Sequence, residues 1–112
     1  MPQKRKLACG VGVNDMPIGF YTKNRKIYDV WYQMLRRGYD SNCKKKWPTY
    51  IDTTVCKEWS SLSNFFAWAA KQEWEGKSID KDILFPGNNH YSPETCVFVT
   101  EALNNLLINS AA

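Results

Sequence analysis

The chain has 112 residues and a formal net charge of +4, and this length accommodates one domain rather than two. Hydrophobic residues make up 44% of the chain and aromatic residues 14%, which is enough apolar material for a core and excludes a chain disordered by composition. No segment approaches the roughly 18 consecutive apolar residues of a membrane span, and no apolar stretch follows the basic start, so we expect no membrane partner and no conventional secretion.

Residues 1–24 contain three glycines and two prolines without a sustained periodicity. This predicts an irregular N-terminal arm that lies over the rest of the fold, followed by a domain at residues 25–112. At the start of that domain, apolar residues recur every three or four positions and two arginines stand near the end, which predicts a helix over Arg25–Tyr39. The apolar positions are Ile27, Val30, Trp31, Met34 and Leu35.

The segment after this helix is rich in lysine. Asp40–Thr49 contains Pro48 near its end, which predicts a loop. Tyr50–Glu58 follows and includes the β-favouring residues Thr53, Thr54 and Val55, which predict a short strand or an extended entry.

A second helix is predicted after Ser60 or Ser61, either of which offers an N-cap. Its apolar face runs to about Trp74, and Gly76 stops it. The residues of that face are Leu62, Phe65, Phe66, Trp68 and Ala69, and we expect the aromatic ones to lie in the core.

The last third of the sequence alternates strand and turn signals. Ser78–Leu84 predicts a strand, residues 86–89 a wide turn, and Cys96–Val99 a second short strand. Thr100 offers the cap of a closing helix. The expected fold class is therefore α+β: a small single domain with N-terminal helices followed by a C-terminal ββα unit at residues 78–109.

Charge is divided unevenly along the chain. Residues 1–50 hold eleven Lys or Arg against three Asp, whereas residues 51–112 hold four Lys against eight Asp or Glu. Basic clusters interleaved with aromatic residues are typical of a surface that contacts phosphates, although a solvated basic face is the alternative for each cluster. The candidate nucleic-acid contacts are Arg25, Lys26, Arg36, Arg37, Lys44, Lys45, Lys46 and Trp47.

The cysteines do not predict a metal site. The four residues, Cys9, Cys43, Cys56 and Cys96, include no C-x-x-C pair, and the chain has a single histidine. Structural zinc sites usually carry two close ligand pairs, so we expect no zinc. We expect four reduced thiols, as in a cytosolic protein, rather than disulfides.

Two carboxylates, Asp80 and Asp82, stand two positions apart in the predicted strand at residues 78–84. Alternate strand positions face the same side, so the two side chains are expected to project together. A hard divalent cation such as Mg²⁺ would balance two like charges there, and simple exposure to water is the alternative.

The region from Trp59 to Asn105 contains a series of short motifs. They are Trp59, Phe65, Phe66 and Trp68, then Ile79-Asp80-Lys81-Asp82-Ile83, Gly87-Asn88, Tyr91-Ser92-Pro93, Cys96, Phe98-Val99 and Asn104. In this combination the region resembles the degenerate HNH proteins encoded by phages, whose pattern has a Trp before a Phe-rich helix, an Asp-containing strand, Gly-Asn, Tyr-Ser-Pro, Cys-x-Phe-Val and a closing Asn. Upstream, Tyr28, Trp31, Met34 and Arg37 match the first helix of that group, but its usual Arg-Cys-Tyr is Arg37-Gly38-Tyr39.

The resemblance implies an HNH-like, or ββα-metal, endonuclease fold that acts on DNA in the cytoplasm of a bacterial host. It implies that Asp80 is the strand ligand of a divalent metal, Mg²⁺ or Mn²⁺, and that Asn104 is the helix ligand. The place of the general-base histidine falls on Lys81 or Asp82, so the usual base is absent from this sequence. Asp82 could orient a metal-bound water, and Lys81 would need to lose its proton through burial.

His90 is the single histidine and stands in the turn between the two predicted strands. It is a candidate for a displaced base or a phosphate contact, and a solvated side chain is the alternative.

Three functions remain open at the level of sequence. The first is a phage-type, HNH-like, metal-dependent DNA endonuclease. The second is a catalytically inactive binding protein on the same scaffold, which binds DNA or blocks a host protein such as a defence nuclease. The third is a small accessory protein without a nucleic-acid function.

Overall fold

The computed structural model describes residues 7–103, which form an α+β domain around one hydrophobic core. The helices are α1 (Phe20–Lys23), α2 (Arg25–Tyr39), α3 (Ser41–Lys46) and α4 (Leu62–Ala69), and residues 101–103 begin a further helix. The strands are β1 (Thr54–Val55), β2 (Ser78–Asp80), β3 (His90–Tyr91) and β4 (Val97–Val99), and 3₁₀ turns cover Pro48–Tyr50 and Lys57–Ser60. Within the described residues, no helix has the length and apolar character needed to cross a membrane.

Helix α2 is the central element, and its predicted bounds are confirmed. Its buried face includes Ile27, Trp31, Met34 and Leu35, which the 3.6-residue period placed together. The indole N–H of Trp31 donates to the carbonyl of Trp59 at 2.7 Å, which joins α2 to the Lys57–Ser60 turn. A buried indole N–H needs such a partner, so this hydrogen bond orients the ring in the core.

The chain before α1 packs against α2 and α4. Gly12 lies so close to α2 that an added Cβ would overlap the side chains of Leu35 and Trp31, so only glycine fits there. Val13 then pairs with Ser61 in a parallel bridge just before α4. Within the expected irregular arm, the structure has one helical turn, α1, whose buried Phe20 meets Phe66 edge-on at 5.0 Å.

Asp15 from this arm caps the N-terminus of α4. Its Oδ1 accepts the backbone N–H of Ser63 at 2.7 Å, and its Oδ2 accepts the hydroxyls of Ser61 and Ser63 at 2.6 Å each. Burial alone would raise the pKa of Asp15, but these hydrogen bonds favour the ionised form and lower the pKa overall. A carboxylate at this place also complements the positive end of the helix dipole.

Asp15→Ala is expected to lower the free energy of unfolding by about 1 kcal/mol at neutral pH, because it removes a helix cap. The pKa of Asp15 is lower in the folded state, so its contribution is present above the unfolded pKa and is lost as the pH falls through the folded pKa. Urea denaturation at pH 7 and at about pH 3 measures both effects, and the difference between the wild type and the variant is expected to be smaller at the lower pH. A difference between the two proteins that is independent of pH would contradict a charged cap.

The prediction of a loop over Asp40–Thr49 is wrong, because residues 41–46 form helix α3. The Asp40 side chain accepts the N–H of Asn42 at 3.2 Å and so caps the helix. At the other end, the Lys44 ammonium donates to the backbone carbonyls of Tyr50, Ile51 and Thr53. The helix is thus stabilised by a local cap and by hydrogen bonds to a more distant segment.

Helix α4 begins where Ser61 predicts, and the Ser61 hydroxyl accepts the N–H of Asn64 at 3.3 Å. It ends at Ala69, however, so the predicted extension to Trp74 is wrong. The N–H groups of Lys71 and Gln72 bond to carbonyls three residues back instead of four, which tightens the chain into a turn.

The strands form two separate pairs. Thr54 and Val55 of β1 pair in parallel with β3, a strand that the sequence did not predict. β2 pairs antiparallel with β4, with Ile79 opposite Phe98, and the helix that begins at residue 101 follows β4. The described part of the predicted ββα unit therefore has the order strand, long connection, strand and helix start; the rest of the predicted helix lies outside the described residues.

The prediction of a strand over Ser78–Leu84 is only partly correct, because β2 stops at Asp80. The Asp80 carboxylate bends the chain by accepting two backbone N–H groups of the following residues. Aspartate often competes with regular structure in this way, since its short side chain reaches its own backbone.

Candidate functional site

An open groove of about 660 Å³ runs beside helix α2 and is termed the α2–β2 groove. The helix lines it with Lys26, Asp29, Gln33 and Arg37, and the chain from Lys77 to Asp82 also lines it. The four helix positions are spaced at i, i+3, i+7 and i+11, so they share one face and extend over about 16 Å. The groove therefore combines one face of α2 with β2 and the bend after it.

Tyr91 of β3 links the two sides of this groove. Its hydroxyl accepts a hydrogen bond from Arg37 Nη1 at 3.2 Å, and Lys81 Nζ lies 5.6 Å from the centre of its ring. The side chain is almost completely buried, and burial raises the pKa of its phenol. Tyr91 therefore stays neutral and holds two cations of the groove at defined positions.

Asp80, the predicted metal ligand, lines the groove at the end of β2. Its Oδ2 accepts the N–H groups of Asp82 at 3.0 Å and Ile83 at 2.7 Å. Burial raises the pKa of Asp80, the two N–H groups lower it in part, and the Asp82 carboxylate raises it further. The net result is a raised pKa for Asp80. A positive charge nearby would counter this shift, because it favours the ionised carboxylate.

Lys81 and Asp82, the predicted candidates for the base position, also line the groove. The expectation that Asp80 and Asp82 project from one strand face is wrong, because β2 ends before Asp82. The two carboxylates instead share the groove through the bend that Asp80 stabilises. The ammonium of Lys81 lies 3.7 Å from the Asp82 carboxylate, so the pair forms an ion pair.

Three carboxylates line the groove, and carboxylate oxygens are common ligands of hard divalent cations. Within residues 7–103, no three His, Cys, Asp or Glu side chains group closely enough to bind a metal by themselves. Mg²⁺ commonly uses one or two carboxylates and completes its shell with water and substrate phosphates. Asp80 and Asp82 fit that role, and Asn104, the predicted helix ligand, lies outside the described residues.

His90 is not among the residues that line the groove. It is exposed at the start of β3, and its Nδ1 lies 2.7 Å from the Thr54 hydroxyl, with which it shares a hydrogen bond. Asn88 supports the same turn, because its amide donates to the carbonyls of Lys81 and His90. The expectation that His90 stands in a turn is therefore wrong, because it is the first residue of β3, and it does not line the groove with Asp80 and Asp82.

The four predicted nucleic-acid contacts on α2 lie on two different faces. Lys26 and Arg37 line the groove. Arg25 and Arg36 lie on another face: Arg25 is placed over the Tyr21 ring, and Arg36 pairs with Asp40 at 3.6 Å. Helix α2 therefore presents two cations to the groove and two away from it.

The predicted contacts on α3 also have different roles. Lys44 is half-buried and bound to backbone carbonyls, so it supports the structure of the Pro48–Tyr50 region. Lys45 and Lys46 are exposed, and Lys46 Nζ lies 5.6 Å from the centre of the Trp47 ring. Trp47 is 52% exposed, so this side chain and the two lysines stay accessible to a ligand.

Several lining residues of the groove were not predicted from the sequence, among them the polar residues Asp29, Gln33 and Lys77. The spacing of Lys26, Asp29, Gln33 and Arg37 could have indicated a polar face on α2. Lys77 had no such signal, because it reaches the groove only through the path of the chain into β2. It pairs with Glu73 at 3.7 Å.

The four cysteines are free in the structure and contribute nothing to the groove. Cys96 is buried beside β4, and burial raises the pKa of its thiol to about 11. Such a thiol stays protonated and unreactive at neutral pH.

Comparisons of the chain with protein-family models, with curated proteins and with solved structures give no match.

Proposed function

We propose that this chain is a phage-type, HNH-like protein that binds DNA in the α2–β2 groove and cleaves it with the help of Mg²⁺ or Mn²⁺. The observation that carries the proposal is the composition of this groove. It holds four cations and three carboxylates around the buried Tyr91: Lys26, Arg37, Lys77 and Lys81 with Asp29, Asp80 and Asp82. Cations bind phosphates, and paired carboxylates hold the divalent ion that phosphodiester hydrolysis uses.

In the proposed reaction, the protein supplies position and charge. Asp80 and Asp82 would hold the divalent ion, which would stabilise the charge that develops on the cleaved phosphate. Lys26 and Arg37 would hold the DNA backbone along α2. Because His90 lies outside the groove, a groove residue must orient the attacking water, and the Asp82 carboxylate is the candidate for that role.

The resemblance of residues 27–106 to degenerate HNH proteins also supports the proposal, and the antiparallel β2–β4 pair followed by a helix start is compatible with it. In this proposal, Asn104 completes the metal ligands from the closing helix, and the protein acts in the cytoplasm of a bacterial host.

A nicking assay tests the catalytic part of the proposal. Purified protein is incubated with supercoiled plasmid and Mg²⁺ or Mn²⁺, with EDTA as the control. The proposal predicts open-circular product that depends on the metal. Absence of cleavage, from a preparation shown to be folded by circular dichroism, would contradict a nuclease.

A specific observation supports a second candidate, an inactive scaffold that blocks a host protein. Leu84 and Phe85, in the connection between β2 and β4, are 54% and 51% exposed. Neighbouring exposed apolar side chains are typical of protein interaction sites. Together with the position of His90 outside the groove, they favour a binding role if the nicking assay gives no product.

A further inference from the structure

Arg37 is a half-buried cation without a carboxylate partner among residues 7–103. Its described side-chain contacts are with two tyrosines: Nη1 donates to the hydroxyl of Tyr91, and Cζ lies 5.6 Å from the centre of the Tyr50 ring. Its neighbour Arg36, in contrast, is paired with Asp40. Of two consecutive arginines on one helix, Arg36 therefore has a carboxylate partner and Arg37 has neutral phenol partners.

A guanidinium that is partly removed from water loses hydration energy, and neutral tyrosines restore only part of it. It also carries five N–H donors in a planar fork, of which one is used by Tyr91. The remaining donors lie beside an open groove that a ligand can enter. An anion with two oxygens at guanidinium spacing would supply both a counter-charge and acceptors for these donors.

Lys81 adds a second cation to the same place. Its ammonium lies over the Tyr91 ring, whose hydroxyl binds Arg37, and it also pairs with Asp82. Tyr91 thus orients a fork-shaped donor on one side and a point charge on the other. This arrangement comes from three elements: α2, β3 and the bend after β2.

We propose that Arg37, oriented by Tyr91 and assisted by Lys81, forms an anion site that binds a phosphate group in the α2–β2 groove. This proposal rests on the proposed function for the source of the phosphate, which is an internal phosphodiester of DNA. A terminal phosphate of a nucleotide has the same chemistry and is distinguished by experiment.

Binding of inorganic phosphate to the full-length protein tests the site without any DNA or metal. The midpoint of thermal unfolding is followed while phosphate replaces chloride at constant ionic strength. For a site with a dissociation constant of about 10 mM, about 50 mM phosphate is expected to raise the midpoint by about 4 °C. The rise caused by site binding is expected to saturate. Phosphate also stabilises proteins generally because it is excluded from their surface, and that effect is expected to increase steadily in every variant.

Arg37→Gln is expected to lose the saturable rise, and Arg36→Gln, a matched change one residue away, is expected to keep it. Arg37→Lys keeps the positive charge but loses the planar fork of donors, so its phosphate affinity is expected to be at least about fivefold weaker. Its thermal midpoint should therefore rise only at correspondingly higher phosphate concentrations. Arg37→Lys serves as the second variant should Arg37→Gln unfold. A saturable rise that survives in both Arg37 variants, or no saturable rise in the wild type, would overturn the proposal.

The source of the phosphate is tested with two further probes, a nucleoside monophosphate and a thymidine dinucleotide with one internal phosphodiester. A saturable, Arg37-dependent response to the dinucleotide supports a DNA backbone ligand. A response to the monophosphate alone supports the anion site but assigns it to a terminal phosphate. The proposed function is tested separately, with polymeric DNA. It fails if the protein neither binds nor cleaves that DNA, whatever the response to the small phosphate probes.

Discussion

Asp80→Asn is expected to slow metal-dependent DNA cleavage by at least about 10³-fold, because a neutral amide oxygen is a poor substitute for a carboxylate on a divalent ion. The change is nearly isosteric, and its side-chain oxygen can still accept the N–H groups of Asp82 and Ile83 that form the bend. The groove should therefore keep its shape. DNA binding without metal is expected to persist, since the substitution removes a negative charge from the groove.

The matched control for this prediction is Asp52→Asn, an identical change at an exposed residue that does not line the groove. Its cleavage rate is expected to equal that of the wild type. Plasmid nicking rates at saturating Mg²⁺ give the comparison, with circular dichroism to confirm that each variant is folded. Equal rates for Asp80→Asn and the wild type would contradict a metal role for Asp80.

The double variant Lys26→Gln/Arg37→Gln is expected to bind duplex DNA about 60-fold more weakly at 0.1 M salt. Each phosphate contact contributes about 0.9 to the slope of log affinity against log salt concentration, so two lost contacts also reduce that slope by about 2. Both residues lie on the groove face of α2. Fluorescence anisotropy of a labelled duplex, measured at several salt concentrations, gives both quantities.

The control double variant is Arg25→Gln/Arg36→Gln, which removes the same charge from adjacent positions on the same helix. Neither residue lines the groove: Arg25 lies over the Tyr21 ring, and Arg36 contacts Asp40 and Gln33, so we expect a change in affinity below about threefold. Equal losses in the two double variants would show that net charge, and not the groove, determines binding.

Helix α2 was predictable from the sequence because its stability comes from a regular apolar face. Ile27, Trp31, Met34 and Leu35 recur at the helical period and are all buried. Helix α3 was not predictable in the same way, because it is six residues long and half lysine. It depends on the Asp40 cap and on the contacts of Lys44 with a segment six to nine residues away.

The sequence predicted that Asp80 and Asp82 belong to the candidate site, but it did not predict how their side chains are arranged. Strand alternation was a reasonable basis for placing Asp80 beside Asp82, yet the Asp80 side chain ends β2 by bonding to the backbone ahead of it. The groove itself depends on tertiary packing that brings α2, β2 and Tyr91 together. Nothing in the local sequence of Tyr91 indicates that its hydroxyl bonds to Arg37.

Binding of the DNA backbone by the cations of the α2–β2 groove is tested most directly by the salt dependence of wild-type binding. Affinity for a duplex is measured by fluorescence anisotropy from low to high salt. With Lys26, Arg37, Lys77 and Lys81 in contact with phosphates, the slope of log affinity against log salt concentration is expected to lie between about −3 and −4. A slope near zero, or no binding at low salt, would contradict the account.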